Sequence, residues 1–210
     1  MANYPTILNT SFHKAAGRFL KSYYKHNQEN SILFRYHFSG ELAGEAKLIA
    51  KSVSFKEMDY QNAIVATWFS YGGPGEILMP AAGCKIKLLQ RYFDEVKYPK
   101  HHREIVTAAI KVIAEGRTAA TMLEWVVSDA VYSQLGQRHF MENLQLLRDE
   151  INRVFLLGRS ELFYLKYYEN LSAKANYYTP FAIGSYASRR EKNARLIGER
   201  IWKLSSAMNY

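Results

Sequence analysis

Apolar side chains recur along this chain at intervals of three and four residues, the spacing of one face of an α-helix. Phe12, Ala15, Ala16, Phe19, Leu20 and Tyr23 predict a helix from Thr10 to about Asn27, with Asn9, Thr10 or Ser11 as its N-cap. A polar break follows at His26–Ser31, and residues 32–39 then read as extended or irregular, leading into a helix over 41–50. A third helix, about 58–70, runs into Gly72-Gly-Pro-Gly75, a turn that no helix crosses. Ile86, Leu89, Tyr92, Phe93 and Val96 mark the next, which ends before Pro99. Another opens at His101-His102-Arg103, turns Ile105, Ala108, Ala109, Val112 and Ile113 inward, and stops near Gly116.

Thr118 or Thr121 caps a helix carrying Leu123, Val126, Val127 and Ala130 towards Gly136. Phe140, Leu144, Leu147, Ile151 and Phe155 give the clearest periodicity in the chain, closed by Gly158. Leu162, Leu165 and Tyr168 continue to about Ser172, and the aromatic loop 176–181 precedes a last helix through Ile197, Ile201 and Leu204. No alternating run long enough for a strand interrupts the series. The pattern predicts an all-α bundle of eight or nine helices with short connections, in a single domain spanning residues 1–210.

Composition agrees with a packed domain. The 210 residues are enough for a substantial core, and 48% hydrophobic with 22% charged residues argues against disorder. Sixteen tyrosines require many half-buried hydroxyls with partners. The formal charge of +9 permits contact with nucleotides, nucleic acid or an anionic surface without establishing any of them. The lone Cys84 excludes an internal disulfide and a cysteine zinc site, and suits a reducing compartment. With no signal-peptide pattern at Met1 and no run of 18 apolar residues, a cytoplasmic protein without membrane attachment is expected.

No phosphate-binding Walker loop, nucleophile elbow or His-Glu-x-x-His helix occurs. In Gly72-Gly73-Pro74-Gly75 the proline removes an amide donor and no Lys-Ser/Thr follows, so a plain turn is the better reading.

Five segments together resemble bacterial proteins of the HD-domain metal-dependent phosphohydrolase superfamily. Tyr36-His37-Phe-Ser-Gly-Glu41-Leu is similar to their Tyr-His-Asn-x-x-His-Thr, and Ala66-Thr-Trp68-Phe-Ser70-Tyr71-Gly to their Ala-Ala-Trp-Phe-His-Asp-x-Gly. Ser128-Asp129-Ala-Val131-Tyr-Ser-Gln-Leu-Gly136 resembles Asp-Ala-Asp-Leu-x-x-Leu-Gly. Residues 142–150 resemble the Glu-Arg-x-x-Leu-Leu-Arg-x-Glu helix of one subgroup, and 176–182 its Arg-Tyr-Phe-Thr-x-Tyr-Ala ending. The segments occur in the family's order over residues 36 to about 200. The resemblance implies an all-α bundle with an N-terminal helix over 1–30, an HD-like core over 31–172, and an aromatic loop with a basic C-terminal helix over 173–210.

In that family an early His, a His-Asp pair and a later Asp hold one or two metal ions that activate water against a phosphate ester. The equivalent positions here are Glu41, Ser70, Tyr71 and Val131, and the further histidines of some members are missing near Met79-Pro-Ala-Ala82. One carboxylate does not make a metal site, and a tyrosine is a poor ligand until ionised. The resemblance therefore implies a dismantled site that binds no metal and needs no cofactor. What is left of it would be a vestigial pocket bounded by His37, Glu41, Trp68, Ser70, Tyr71, Asp129 and Val131. Tyr71 is expected to fill part of the vacated space, its hydroxyl reaching Asp129, Glu41 or His37.

Two readings of the remnants stand side by side. His37 and Glu41 with Asp129 form a salvaged acid–base set, or His37 fixes a loop and Asp129 accepts structural hydrogen bonds. The adjacent His101 and His102 diverge by about 100° on a helix and mark an exposed helix start. Arg189, Arg190, Lys192 and Arg195, with Tyr177, Tyr178, Phe181 and Tyr186 before them, either grip phosphates and stack bases or form a solvated face with aromatics packed beneath. The leading expectation is a non-catalytic binding or regulatory module, with a protein partner or second copy as its target. An enzyme with a rebuilt site and a nucleotide or nucleic-acid binder are the alternatives.

Overall fold

A computed structural model describes residues 11–26, 32–70, 82–155 and 158–207. Within them the chain forms α1 (Phe12–His26), α2 (Ile32–Ser52), α3 (Glu57–Ser70), α4 (Ala82–Glu95), α5 (Lys100–Glu115) and α6 (Met122–Tyr132). A 3₁₀ turn (Ser133–Gly136) follows, then α7 (Phe140–Phe155) and α8 (Glu161–Lys174). A helical turn (Pro180–Ala182) and a π-helical turn (Ile183–Ala187) lead into α9 (Ser188–Ala207). No strand occurs among the described residues, so the all-α bundle predicted from periodicity is what forms. No described helix is long and apolar enough to cross a membrane.

One stretch departs from the sequence reading. Residues 32–39 are helical, not extended, and α2 is continuous from Ile32 to Ser52. Its aromatic and β-branched start has weak helix propensity, but packing overrides it: Phe38, Leu42, Ala46 and Ile49 are buried at helical spacing.

Helix α3 is the axis of the larger core. Every residue from Gln61 to Thr67 is buried, because α1, α2, α5 and α6 all pack against it. Its buried polar side chains are each paired. Gln61 accepts the Phe12 amide at 2.6 Å and donates to Glu57 at 2.8 Å, while the Tyr92 hydroxyl donates to the Phe12 carbonyl at 2.6 Å. The first residue of α1 is thus held at both its amide and its carbonyl, which satisfies one of the orphan donors of that helix end. Asn62 accepts from the Tyr98 hydroxyl at 2.8 Å and donates to His102 Nδ1 at 2.9 Å.

Local signals close the other helices. Gly116, at φ 65°, takes the left-handed position after α5 and returns its amide to the Val112 carbonyl. Thr121 and Glu124 form a reciprocal capping box at the start of α6. Ser160 and Thr179 cap α8 and the turn at Pro180.

A second, smaller core gathers Leu135, residues of α7 and α8, Ala175 and Ile197. It is joined to the first through the segment 175–187. There Phe181 and Tyr186 pack on the larger core, while Asn193 of α9 donates to the carbonyls of Leu135 and Gln137 at 2.8 and 3.0 Å.

Candidate functional site

Helix α3 carries the first group of residues singled out by the sequence. Trp68 is half-buried, stacked on Tyr36 with ring centroids 5.6 Å apart, and lies against Gly17 of α1 and Gly40 of α2. A β-carbon at either glycine would lie 3.1 Å from the indole, a tight contact that the ring would have to relieve by shifting a few tenths of an ångström. Phe69 is buried against Phe19 and Tyr92. Ser70 is buried and its hydroxyl donates to the Ala66 carbonyl at 2.7 Å, one turn back in its own helix. Tyr71, the turn 72–75 and Met79–Pro80 lie outside the described residues.

Asp129 has a different environment. It is fully buried on α6, and both carboxylate oxygens are occupied. The Tyr178 amide donates to Oδ1 at 2.8 Å, and the Thr179 amide and hydroxyl donate to Oδ2 at 2.8 and 2.7 Å. Burial pushes the carboxyl above its ordinary value, against the three donated hydrogen bonds that favour the charged form. Val131 is buried two residues on. Two residues of an α-helix project about 200° apart, so Asp129 cannot serve in place of the position held by Val131.

His37 and Glu41 are exposed on α2. Because the helix starts at Ile32, they stand one turn apart on one face. The His37 ring meets Tyr36 edge-on at 5.7 Å. Glu41 borders a cavity of about 100 Å³ with Phe38, Gln137, Tyr168 and, from α7, Phe140, Asn143 and Leu144. His37, Trp68, Ser70, Asp129 and Val131 do not line that cavity.

In the basic C-terminal segment Arg190 has a structural task. It donates to the Ala175 carbonyl, and its guanidinium lies over the Tyr177 ring at 5.4 Å. Arg189, Lys192 and Arg195 are exposed on α9. The neighbouring aromatics have partners within the fold. Tyr177 donates to the Tyr132 carbonyl at 2.9 Å, Tyr178 stacks on Trp125 at 6.0 Å, and the Tyr186 hydroxyl donates to Glu45.

Sequence reasoning missed the polar set Gln61, Asn62, Tyr98 and His102, whose members come from α3, the connection between α4 and α5, and α5. A polar pair at the start of an otherwise apolar helix was its one local signal. His101 is exposed as the sequence reading expects, whereas His102 is half-buried on Asn62.

Among the described residues the donor set does not fit a divalent cation. Among the described residues no three His, Cys, Asp or Glu side chains converge. Of the four positions that the sequence resemblance singles out, Glu41 is an exposed carboxylate, Ser70 turns its hydroxyl to its own helix, Val131 offers no donor, and Tyr71 lies outside the described residues. The chain matches no family model, no curated protein and no solved structure with which it was compared.

Proposed function

We propose that this chain is a non-catalytic, HD-like protein, a pseudo-phosphohydrolase that works as a binding or regulatory module in a reducing, cytoplasmic setting. The observation that carries the proposal is Asp129. The one strong donor retained beside the altered positions has both oxygens turned to the 178–179 backbone and to Thr179. A general base or metal ligand needs an oxygen facing substrate or ion, and this carboxylate instead ties α6 to the entry of the C-terminal segment. Ser70 supports the same reading, since its hydroxyl closes onto the turn behind it.

A rebuilt catalytic site would draw on His37, Glu41, Asp129 and Tyr71, the last of which lies outside the described residues. The first two are exposed on α2 and the third is fully buried, which supports the binding reading over an enzymatic one.

The deciding experiment is elemental analysis of protein purified without an affinity tag, paired with phosphatase and phosphodiesterase assays in added manganese or magnesium. Neither stoichiometric metal nor chelator-sensitive hydrolysis is expected. Stoichiometric transition metal, or hydrolysis that chelator removes and metal restores, overturns the proposal.

A further inference from the structure

Helix α1 is built with one sign of charge. Its sequence, FHKAAGRFLKSYYKH, holds Lys14, Arg18, Lys21 and Lys25 and no acidic residue. Helical spacing sets these four along one edge of the helix. The adjoining face of α1 looks across a groove of about 650 Å³ towards α4, a volume within the usual range for small-molecule sites. Arg18, Phe19, Ser22 and Tyr23 line one wall, and Arg91 and Glu95 belong to the other.

Three features make this groove more than a solvated basic face. Arg18 and Arg91 come from different helices yet face one space, and among the described residues neither forms an ion pair with a carboxylate. The aromatic wall is ordered: Phe19 and Tyr23 lie nearly parallel, 13° apart with centroids at 6.5 Å, and the Arg91 guanidinium sits 5.9 Å over the Tyr23 ring. The wall is also backed from behind, because Phe19 rests on Phe69 and Tyr92 at 6.2 and 5.5 Å. Hydrogen bonds to both the amide and the carbonyl of Phe12 fix α1 at its start, so the platform is set before any ligand arrives.

We infer that this groove binds a nucleotide unit, either free or within a single strand, with phosphate on Arg18 and Arg91 and the base against Phe19 and Tyr23. Paired guanidiniums recognise phosphate with charge-assisted hydrogen bonds. An aromatic face takes any base by stacking. Glu95 sets the sense of the ligand, since its carboxylate repels a bare polyphosphate and accepts a hydrogen bond from an exocyclic amino group. The site uses none of the residues in the HD-like motifs. Its failure would leave the non-catalytic reading standing, and metal in the protein would not touch the groove.

The test is fluorescence anisotropy with a ribose-labelled ATP analogue. Unlabelled ATP, inorganic tripolyphosphate and a single-stranded oligodeoxyadenylate of about 12 nucleotides, which carries the same base and amino group as ATP, serve as competitors. Binding should weaken as salt rises from about 50 to about 200 mM. The double variant Arg18→Gln/Arg91→Gln should lose about tenfold or more in affinity, and Tyr23→Ala about fivefold. Arg189→Gln/Lys192→Gln on α9 should change it less than about twofold. Tripolyphosphate should compete about tenfold more weakly than ATP, for want of a base. Tighter competition by ATP identifies the free nucleotide as the source, and tighter competition by the oligonucleotide identifies the strand. Should the double variant melt early, Arg91→Gln alone carries the test, with a loss of about threefold or more expected. No binding at low salt, equal competition by tripolyphosphate, an equal loss in the α9 variant, or capture by anionic lipid vesicles alone each overturns the inference.

Discussion

Asp129 and the arginines of the α1–α4 groove are opposite uses of charge in one fold. Asp129 is fully buried and has three donors on its two oxygens. Arg18 and Arg91 are exposed, line one groove, and make no ion pair among the described residues. A buried charge whose bonding capacity is met within the chain is part of the architecture, because leaving it unpaired is expensive. Exposed cations on facing helices without a carboxylate partner contribute little to the architecture and leave their donors to a ligand. By this criterion the residue that resembles a catalytic remnant is structural, and the functional chemistry lies in a groove that no motif marks.

The sharpest way to break the comparison is Asp129→Ala. It leaves the amides of Tyr178 and Thr179 and the Thr179 hydroxyl without their acceptor, and should destabilise the protein by about 3–5 kcal/mol in urea unfolding. Asp129→Asn keeps the shape but turns an N–H₂ towards donors, and should fall between parent and alanine variant. An alanine variant that unfolds with the parent would release Asp129 from its structural role.

Gly136→Ala examines the same junction from the other side. A β-carbon there would lie 2.6 Å from the Tyr186 carbonyl oxygen and 2.8 Å from its α-carbon. Backbone cannot swing aside as a flexible side chain does, so the π-helical turn must move. A loss of about 2–3 kcal/mol is expected. An unchanged midpoint would mean that the 175–187 segment is held loosely, and that Asp129 tethers little.

These two positions also mark how far the sequence is legible. Helix α7 can be read from the three-and-four spacing of Phe140, Leu144, Leu147 and Ile151 alone, all four of which are buried. The beginning of α2 cannot, because Ile32 to Phe38 have weak helix propensity and become helical through the packing of Phe38 and the stacking of Tyr36 on Trp68. Structural hydrogen bonding by Asp129 is one of two readings open from the sequence. Its partners lie 49 and 50 residues away, a separation at which local pattern carries no signal. The pairing of Arg18 with Arg91 is hidden for the same reason. The C-terminal basic cluster, which the sequence does display, has its Arg190 and its aromatics engaged inside the fold.

Glu124 offers a smaller effect with a defined pH signature. Burial pushes its carboxyl up, but the amides of Ala120 and Thr121 and the Arg117 guanidinium outweigh it and hold the group below its ordinary 4.5. A depressed carboxylate contributes stability that is fully present above the unfolded value and is lost as pH falls through the folded one. Glu124→Gln should therefore be less stable than the parent by about 1–2 kcal/mol at neutral pH. The gap should close as pH drops below about 4.5. A gap that stays constant to pH 3 would assign the whole effect to hydrogen-bond geometry rather than to charge.

The smallest expected effect bears hardest on the comparison. Arg18→Gln/Arg91→Gln should unfold within about 0.5 kcal/mol of the parent, since exposed side chains away from special features rarely contribute more. Direction matters as well as size. The chain carries a formal charge of +9, and α1 has no acidic residue to balance its four cations. Removing two positive charges from facing helices relieves repulsion, so a slight gain in stability is the more natural sign, and it should shrink as salt screens the charges. The stacking of Arg91 over Tyr23 works in the other direction, but at an exposed site it is worth about 0.5–1 kcal/mol at most. Thermal unfolding at low and high salt separates the two contributions. If the double variant loses several kcal/mol at both, the arginines are struts between α1 and α4, and the groove they line has the same structural character as the Asp129 tether.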